Sequence, residues 1–373
     1  MRFEIHTKDL SAALSTCAKL ISGAGIITTN VKITADDNDT LTFAATDGKT
    51  TITLTREAEV YESGTICAPA KMLLDIAKKL PHHGASVSVK GYTMSVKSGT
   101  YKANIACEDA ARFPTAPDIA RDATSATLDQ CTMQQMFDAV RHAASKLDAG
   151  RAILMGTYIE IEQSTISMTA LDGFRLATIR RPLQGDMGNP ITAILPCDTL
   201  RLLDGLLSDN EGDTVDFISD GKHAIIALPN AQIQTALIMG QYIDYKQMID
   251  KPSYDAEIVI SRHALKSALE RSLIIKEKLV KLEIADGDIT LSSRAETSEA
   301  SETLQTDRYK NAITIAFNAQ LLIDALSAMD SDEVMLQFTT PVAPCRITPM
   351  GNREKVAAGE RQISIVLPVR TQG

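Results

Sequence analysis

The sequence predicts an α+β fold made of three tandem copies of one plan, each copy running strand–helix–three strands twice. Three observations lead there. Helical and alternating apolar periods succeed each other in the same order three times. Phe43-Ala-Ala-Thr-Asp-Gly-Lys-Thr-Thr-Ile52 shares its grammar with Thr169-Ala-Leu-Asp-Gly-Phe-Arg-Leu176, about 125 residues later. A period of that size marks repeated domains, not a solenoid. In each copy the second helix reads alike: Ala70-Lys-Met-Leu-Leu-Asp-Ile-Ala, Asp198-Thr-Leu-Arg-Leu-Leu-Asp-Gly and Asn318-Ala-Gln-Leu-Leu-Ile-Asp-Ala. Each has a Leu-rich face with an Asp at one place.

In the first copy, Phe3 to Ile5 is a strand and Lys8 to Leu20 a helix that places Leu10, Ala13, Leu14, Cys17 and Ala18 together. Strands follow at Val31 to Ile33, Leu41 to Phe43 and Thr51 to Leu54, broken by Asp36-Asp-Asn-Asp39 and Asp47-Gly48. Asp-Gly favours a tight turn because Gly accepts positive φ and Asp bonds its own backbone. After a strand at Thr65 to Cys67, Pro69 opens a helix over Ala70 to Leu80, with Met72, Leu73, Ile76, Ala77 and Leu80 on its apolar face, and Pro81 stops it. Val87 to Val89, Thr93 to Val96 and Tyr101 to Ala106 close the copy.

The plan restarts at Ala126 to Leu128. A helix spans Cys131 to Lys146, with Met133, Met136, Phe137, Val140 and Ala144 inward. Strands follow at Tyr158 to Ile161, Ile166 to Ala170 and Arg175 to Ile179, then Thr192 to Leu195, the helix Asp198 to Leu207, and strands at Thr214 to Ile218, Ala224 to Leu228 and Gln232 to Ile238. The third copy starts at Ala256 to Ile260. Its helices are Arg262 to Leu273 and Asn318 to Met329; its strands are Val280 to Ile284, Ile289 to Ser292, Ser298 to Leu304, Ile313 to Phe317, Glu333 to Phe338, Pro344 to Ile347 and Ile363 to Leu367. Linkers at Pro114 to Asp122 and Asp250 to Tyr254 are short, so a stiff arc is expected. The boundaries expected are 1–122, 123–252 and 253–373.

The net charge is −9 over 373 residues, which argues against coating nucleic acid with the whole surface but leaves room for a local basic patch. With no Trp and few aromatics, a stacking platform for single strands is not expected. No apolar run reaches a membrane span, and Met1-Arg-Phe-Glu-Ile lacks a signal-peptide core. Six scattered Cys without C-x-x-C spacing read as buried thiols of a reducing cytoplasm.

In this order and spacing, the triplication, the start Met1-Arg-Phe-Glu-Ile, Ala45-Thr-Asp-Gly48, the run Leu171-Asp-Gly-Phe-Arg-Leu176, Phe113-Pro114, Tyr242-Ile-Asp-Tyr245 and the ending Ile365-Val-Leu-Pro-Val-Arg370 make the chain resemble, over its whole length, the bacterial DNA polymerase III beta subunit, the sliding clamp of DNA replication. The resemblance implies a non-catalytic, cofactor-free processivity subunit. Two chains would close head to tail into a ring around duplex DNA, with helices lining the hole and sheets outside. Such a protein holds DNA through phosphates, without reading bases. Cations placed for this on the helices are Lys8, Lys19, Lys71, Lys78 and Lys79; Arg141, Lys146 and Arg201; and Arg262, Lys266 and Arg271, with Lys276 and Lys278 just beyond.

The resemblance also implies an apolar pocket where polymerase and clamp-loader subunits dock short peptides. Its residues here are Leu154, Leu171, Gly173, Phe174, Arg175 and Leu176, then Ile243, Gln247 and Met248, and finally Ile365, Leu367, Pro368, Val369 and Arg370. Such a groove suits an extended peptide with aliphatic or aromatic anchors, and Met248 can reshape to different partners. The family commonly has Thr, His, Pro and Arg where this chain has Leu171, Phe174, Ile243 and Gln247, so a greasier pocket with one cation fewer is expected. At the ring seam the resemblance places Lys97, Lys102, Ala103 and Ile105 of the first copy against Leu273, Ile274, Glu296, Glu299 and Glu302 of the third. Ala103 stands where the family tends to have Phe, and Ser22-Gly-Ala-Gly-Ile26 lacks the usual basic residue.

Two rival classes remain open: an accessory clamp copy or non-DNA scaffold on the same fold, and a metal-dependent hydrolase using Asp36, Asp37, Asn38, Asp39 and Asp47. Against the latter, EF-hand spacing is absent, His82-His83 has no third ligand nearby in sequence, and no P-loop, nucleophile elbow or H-E-x-x-H occurs.

Overall fold

The structure, a computed structural model, describes residues 1–21, 28–116, 118–120, 122–145, 150–162, 164–183, 189–208, 210, 212–249, 253–306, 308–351 and 359–370. The chain folds as two compact units. One holds Met1–Cys131 with Asp198–Leu237, the other Thr132–Cys197 with Ile238–Gly373. The middle copy of the sequence plan is therefore shared between them.

Sheet pairing is the cause. In the first unit an eight-stranded sheet runs Thr124–Asp129, Thr214–Ser219, His223–Leu228, Ala231–Ala236, Thr50–Glu57, Thr40–Thr46, Asn30–Ala35, Gly64–Pro69. Its two halves come from different copies and join where Ala231–Ala236 pairs antiparallel with Thr50–Glu57. A five-stranded sheet accompanies it, in the order Glu59–Glu62, Arg2–His6, Gly84–Lys90, Thr93–Ser98, Tyr101–Ala106. In the second unit a nine-stranded sheet runs Ile191–Pro196, Gly156–Glu162, Thr165–Leu171, Arg175–Pro182, Arg361–Val366, Cys345–Met350, Glu333–Phe338, Ala256–Ser261, Tyr309–Lys310. Here the copies join at Arg175–Pro182 against Arg361–Val366. A four-stranded sheet completes the unit: Glu299–Gln305, Asp288–Arg294, Leu279–Ala285, Ile313–Asn318.

Helices α1 (Thr7–Leu20), α2 (Ala70–Ala77), α3 (Gln130–Val140), α4 (Cys197–Leu203), α5 (Lys246–Ile249), α6 (Arg262–Ser272) and α7 (Ala319–Ser327) complete the described structure, with short 3-10 turns. In the first unit α1 packs on α2, and in the second α6 packs on α7. Leu10, Ala13, Leu14 and Cys17 are buried on α1, as the helical period requires. Side-chain caps explain two starts: Ser261 accepts from the Ala264 N–H, and Asn318 from the Gln320 N–H.

Several expectations need correction. On α2 the buried face is Ala70, Leu73, Leu74 and Ala77, and Met72 is exposed. The helix ends at Ala77, too short for Leu80 to join its face. α3 stops at Val140 and tightens into a 3-10 turn over Arg141–Ala143, while Lys146 and Ser22 to Ile26 lie outside the described residues. α4 ends at Leu203, so Asp204 falls beyond it, out of step with Asp75 and Asp324 inside α2 and α7. The strands Glu59–Glu62 and Tyr309–Lys310 and the four-residue α5 carried no period long enough to predict.

The Asp-Gly turn in which the Asp side chain bonds the backbone ahead of it occurs a third time, at Asp220-Gly221. In all three turns the Asp Oδ1 accepts the backbone N–H groups two and three residues on: Lys49 and Thr50 for Asp47, Phe174 and Arg175 for Asp172, Lys222 and His223 for Asp220. Gly48, Gly173 and Gly221 have φ of 91°, 92° and 81°, a region that disfavours any side chain. Burial pushes the Asp220 carboxyl up, but the N–H groups of His223, Lys222 and Ala120 outweigh it and hold it down at about 2. An Asp in an unfolded chain titrates near ~3.9. Asp220 therefore stabilises the fold fully above that value, and the contribution fades as pH falls through about 2. Asp220→Asn should melt lower than the parent at neutral pH. That gap should close between about pH 4 and pH 2, as thermal scans against pH would read.

The candidate metal-binding loop proves to be turns. Asp36 Oδ1 accepts from the Asn38 and Thr40 N–H groups, and Asp39 Oδ1 accepts from that of Val60. Among the described residues no group of three or more His, Cys, Asp or Glu is placed to hold a metal ion, and no helix is long and apolar enough to cross a membrane. None of the six cysteines is in a disulfide; burial pushes the Cys17 thiol up to about 12.

Candidate peptide-docking and DNA-facing sites

The residues expected to form the pocket all lie in the second unit, and the structure sorts them into two sets. Leu154, Leu171, Leu176 and Ile365 are buried, and with Tyr242, Tyr245, Ile194, Ile249 and Ile363 they form one apolar cluster against which Ile243 packs. Leu171, Leu176 and Ile365 are strand positions, and Leu154 lies in the 3-10 turn Ala152–Met155. The exposed set is Phe174, Met248, Leu367 and Val369, with Phe174 66 % exposed. An exposed Phe is unusual enough to point to a partner when other apolar side chains share its exposure.

Local structure explains how Phe174 comes to stand out. Asp172 and Gly173 turn the chain between two buried strands, which leaves the next residue at the tip. Arg175 then folds back. Its Nε donates to Asp172 Oδ2 at 3.1 Å and its Nη1 to Asp324 Oδ2 of α7 at 2.5 Å. The Arg175 side chain is only 9 % exposed, so this is a largely desolvated ion triad. Beside it opens a cavity of about 660 Å³ lined by Phe174, Arg175, Leu273, Lys278, Asn318 and Leu321. From the sequence, Leu273 was expected at the seam and Lys278 among the DNA-facing cations, while Asn318 and Leu321 were assigned to no site.

The C-terminal segment is tied down by its backbone. The Leu367 N–H donates to the Phe174 carbonyl at 2.9 Å and the Val369 N–H to the Ala316 carbonyl at 2.8 Å. Pro368 between them has no N–H to place, and Arg370 is exposed. Gln247 is turned onto its neighbour Asp244 at 2.8 Å. A separate cavity of about 1000 Å³, lined by Asp138, His142, Arg181, Asp330 and Glu360, touches none of the apolar pocket residues. Burial, and then Arg175, push His142 down to about 4.

The first unit contains the same backbone construction with different side chains. Thr50 faces Thr235 as Arg175 faces Val366, and the Ala236 N–H bonds the Lys49 carbonyl as that of Leu367 bonds Phe174. In place of the ion triad stand three buried hydroxyls: Thr235 bonds Thr50 at 2.9 Å and Thr199 at 3.0 Å. Lys49 takes the place of the exposed Phe174. Only the second-unit copy joins an apolar tip to a fixed cation.

Of the cations expected on the helices, Lys8, Lys19, Lys71, Lys78, Lys79, Arg141, Arg201 and Arg271 are exposed, with Lys78 and Lys79 just past the end of α2. Lys19 donates to the Asp204 carbonyl at 3.1 Å. Arg201 pairs with Asp198, Arg141 with Asp138 and Lys266 with Glu270. Two others are engaged elsewhere in the chain: Arg262 donates to the carbonyls of Ser331 and Leu326, and Arg271 makes a two-pronged bond to Glu302 at 2.8 and 2.6 Å. Arg271 and Glu302, expected to serve DNA and the seam separately, thus neutralise each other.

The expected seam strands, Tyr101–Ala106 and Glu299–Gln305, are terminal strands of their sheets, with one backbone edge unpaired by a neighbouring strand among the described residues. Lys97 and Lys102 are exposed and face each other across the register, and Glu296, Glu299 and Ile274 are exposed too, while Ala103 is half-buried. Ile105 is core, and Leu273 packs against the core, so neither presents its full side chain at an edge.

Three family models match the chain in succession. They describe the N-terminal domain of the DNA polymerase III beta subunit (residues 1–117), its central domain (127–244) and its C-terminal domain (252–358). The chain belongs to the DNA polymerase III beta subunit family. Relatives of this sliding-clamp family include the beta sliding clamp of Staphylococcus aureus, 25 % identical with all of both chains covered, and that of Staphylococcus epidermidis, 25 % identical over 92 % of each. Solved structures share the fold: the Bacillus subtilis sliding clamp (TM-score 0.90, 24 % identity, all of both chains) and a Eubacterium rectale beta subunit (0.89, 22 %, 99 % of each). A Pseudomonas aeruginosa clamp bound to griselimycin is similar at TM-score 0.90 and 22 % identity, with all of both chains covered. The family's three-domain order agrees with the triplication in the sequence.

Proposed function

We propose that this chain is a processivity clamp of the cytoplasm: two copies close head to tail around duplex DNA and tether a replicative polymerase and its loader through short peptides. The observation that carries it is the succession of three beta-subunit domains from residue 1 to 358. We take these as clamp domains over 1–122, 123–252 and 253–373.

The exposed lysines Lys8, Lys71, Lys78 and Lys79 suit sequence-independent attraction to phosphates. The two terminal strands suit edge-to-edge pairing between copies, with Lys97 and Lys102 of one chain complementing Glu296 and Glu299 of the other. For docking, Phe174, Met248, Leu367 and Val369 supply the apolar contact surface, while the ion triad fixes the Asp172 turn beneath it. A clamp of the same fold takes griselimycin, which supports a ligand-binding role for this fold. No step here involves bond chemistry; the chain's role is binding.

The docking part is tested by fluorescence anisotropy with a dye-labelled synthetic peptide carrying a Leu-Phe pair. Leu367→Ala should weaken binding about tenfold, the loss of an anchor contact worth ~1.4 kcal/mol. Undiminished affinity in Leu367→Ala and in Met248→Ala would reject the pocket. Gel filtration tests the pairing: elution as a dimer is expected, and elution as a monomer at micromolar concentration rejects the ring.

A further inference from the structure

We infer that Glu160, which lies outside the docking surface, is a positioning residue for it, holding the segment Tyr242–Ile249 in the shape that presents Ile243 and Met248. This rests on the peptide-docking role proposed above. Glu160 sits on the strand Gly156–Glu162 and is 7 % exposed. A carboxylate there needs partners, because an unpaired buried charge is costly. It has them on both oxygens. The Tyr245 hydroxyl donates to Oε2 at 2.6 Å, the Lys246 ammonium to Oε1 at 3.0 Å, and the Ser167 hydroxyl more weakly to Oε2 at 3.4 Å. Two of these donors belong to the segment that carries the docking residues.

The segment has little structure of its own. α5 is four residues long, far below the length at which a helix holds itself together. Its shape therefore depends on tethers to the sheet. Tyr242 stacks on Tyr158 with ring centres 4.7 Å apart, and its hydroxyl donates to the Thr169 carbonyl at 3.3 Å. At the other end Glu160 holds Tyr245, and the Tyr245 carbonyl accepts the Met248 N–H at 2.9 Å. Met248 is thus one backbone bond away from the residue that Glu160 fixes. A flexible, exposed Met presented by a loose segment would have to be ordered on binding; one presented by a tethered segment does not.

The test measures affinity for the same dye-labelled Leu-Phe peptide in the full-length protein, for Glu160→Gln, Tyr245→Phe, Met248→Ala and the double variant Tyr245→Phe/Met248→Ala. Ser261→Ala is the control, since it removes the side-chain cap of α6, a different element of the same unit. Glu160→Gln and Tyr245→Phe should each weaken the peptide up to about tenfold, the cost of ordering a loosened side chain and its segment on binding. The control should lower the Tm yet bind as the parent does. The double variant should bind no more than about twofold worse than Met248→Ala alone, because both changes disable one wall. Tyr245→Phe is close in shape to the parent and keeps the test open if Glu160→Gln folds poorly. Parent-like affinity in Glu160→Gln and Tyr245→Phe, with Met248→Ala impaired, overturns this inference alone. Fully additive losses in the double variant overturn it too. If the parent does not bind the peptide, or Met248→Ala and Leu367→Ala bind as the parent does, the docking role fails and this inference with it.

Discussion

Arg175→Ala should lower stability by about 3 kcal/mol, the size expected when one partner of a desolvated ion pair is removed. The guanidinium bridges Asp172 and Asp324, which lie 152 residues apart in the chain and on different elements, a turn and α7 (324 − 172). Without it both carboxylates remain partly buried without a cation, held among the described residues only by the Phe174 and Arg175 N–H groups for Asp172 and by the Gln320 amide for Asp324. For a cooperative unit of this size the melting midpoint should fall by about 6–12 °C. Arg175→Lys should recover only part of this, because an ammonium cannot serve both carboxylates with a planar fork. Arg175→Met combined with Asp324→Leu should recover more stability than Arg175→Ala, since an apolar replacement removes the unpaired charge on α7. It should still bind the Leu-Phe peptide poorly, because the Asp172 turn and the Phe174 tip lose their brace. Thermal scans and anisotropy on the same samples separate the two effects. Equal stability in Arg175→Ala and the parent would show that the triad is a surface pair of little consequence.

Reversing Lys8, Lys71, Lys78 and Lys79 to Glu together should abolish retention on DNA at moderate salt. The dependence of log K on log salt should become shallower by about 0.9 for each lysine that touches a phosphate. Reversing Arg262 and Arg271 should change that slope far less. Their guanidinium groups already serve the Ser331 and Leu326 carbonyls and the Glu302 carboxylate, so any effect should appear in stability. An equal loss of slope from both sets would mean that pairing inside the chain does not withdraw a cation from DNA.

These two expectations show where sequence stopped being informative. The helices and most strands were legible because burial imposes a period, as on α1 with Leu10, Leu14 and Cys17. The Asp-Gly turns were legible because few residues tolerate φ near 91°. What carried no local signal was pairing over long distance. Asp324 was visible as a repeated helix residue, but nothing near it in sequence names Arg175 as its partner. Likewise Arg271 and Glu302 each fit a role alone, and only the fold shows them bonded to each other. Met72 was misplaced because a short helix offers too few turns to fix which face is inward. The middle copy is split between two units because its outer strands pair with neighbours from the adjoining copies, and strand order across copies leaves no trace in a single segment. Tyr242 and Tyr245 stood in the sequence as a family signature. Their work, stacking on Tyr158 and bonding Glu160, was not readable until the strand Gly156–Glu162 was in place.

The docking surface joins two kinds of residue with different physical duties. Leu154, Leu171, Leu176 and Ile365 stabilise the sheet and would cost stability if truncated, about 2–5 kcal/mol each for a buried Leu or Ile cut to Ala. Phe174, Met248, Leu367 and Val369 are exposed, so their truncation should leave the fold intact and change only what binds. Substitutions in the second set are therefore the ones to interpret functionally.

Encirclement itself is tested most directly by loading the protein with a bacterial clamp loader onto nicked circular duplex and washing at high salt, before and after the circle is cut at one site. The protein should stay on the intact circle and be lost once the DNA is linear; release at the same rate from both forms would contradict encirclement.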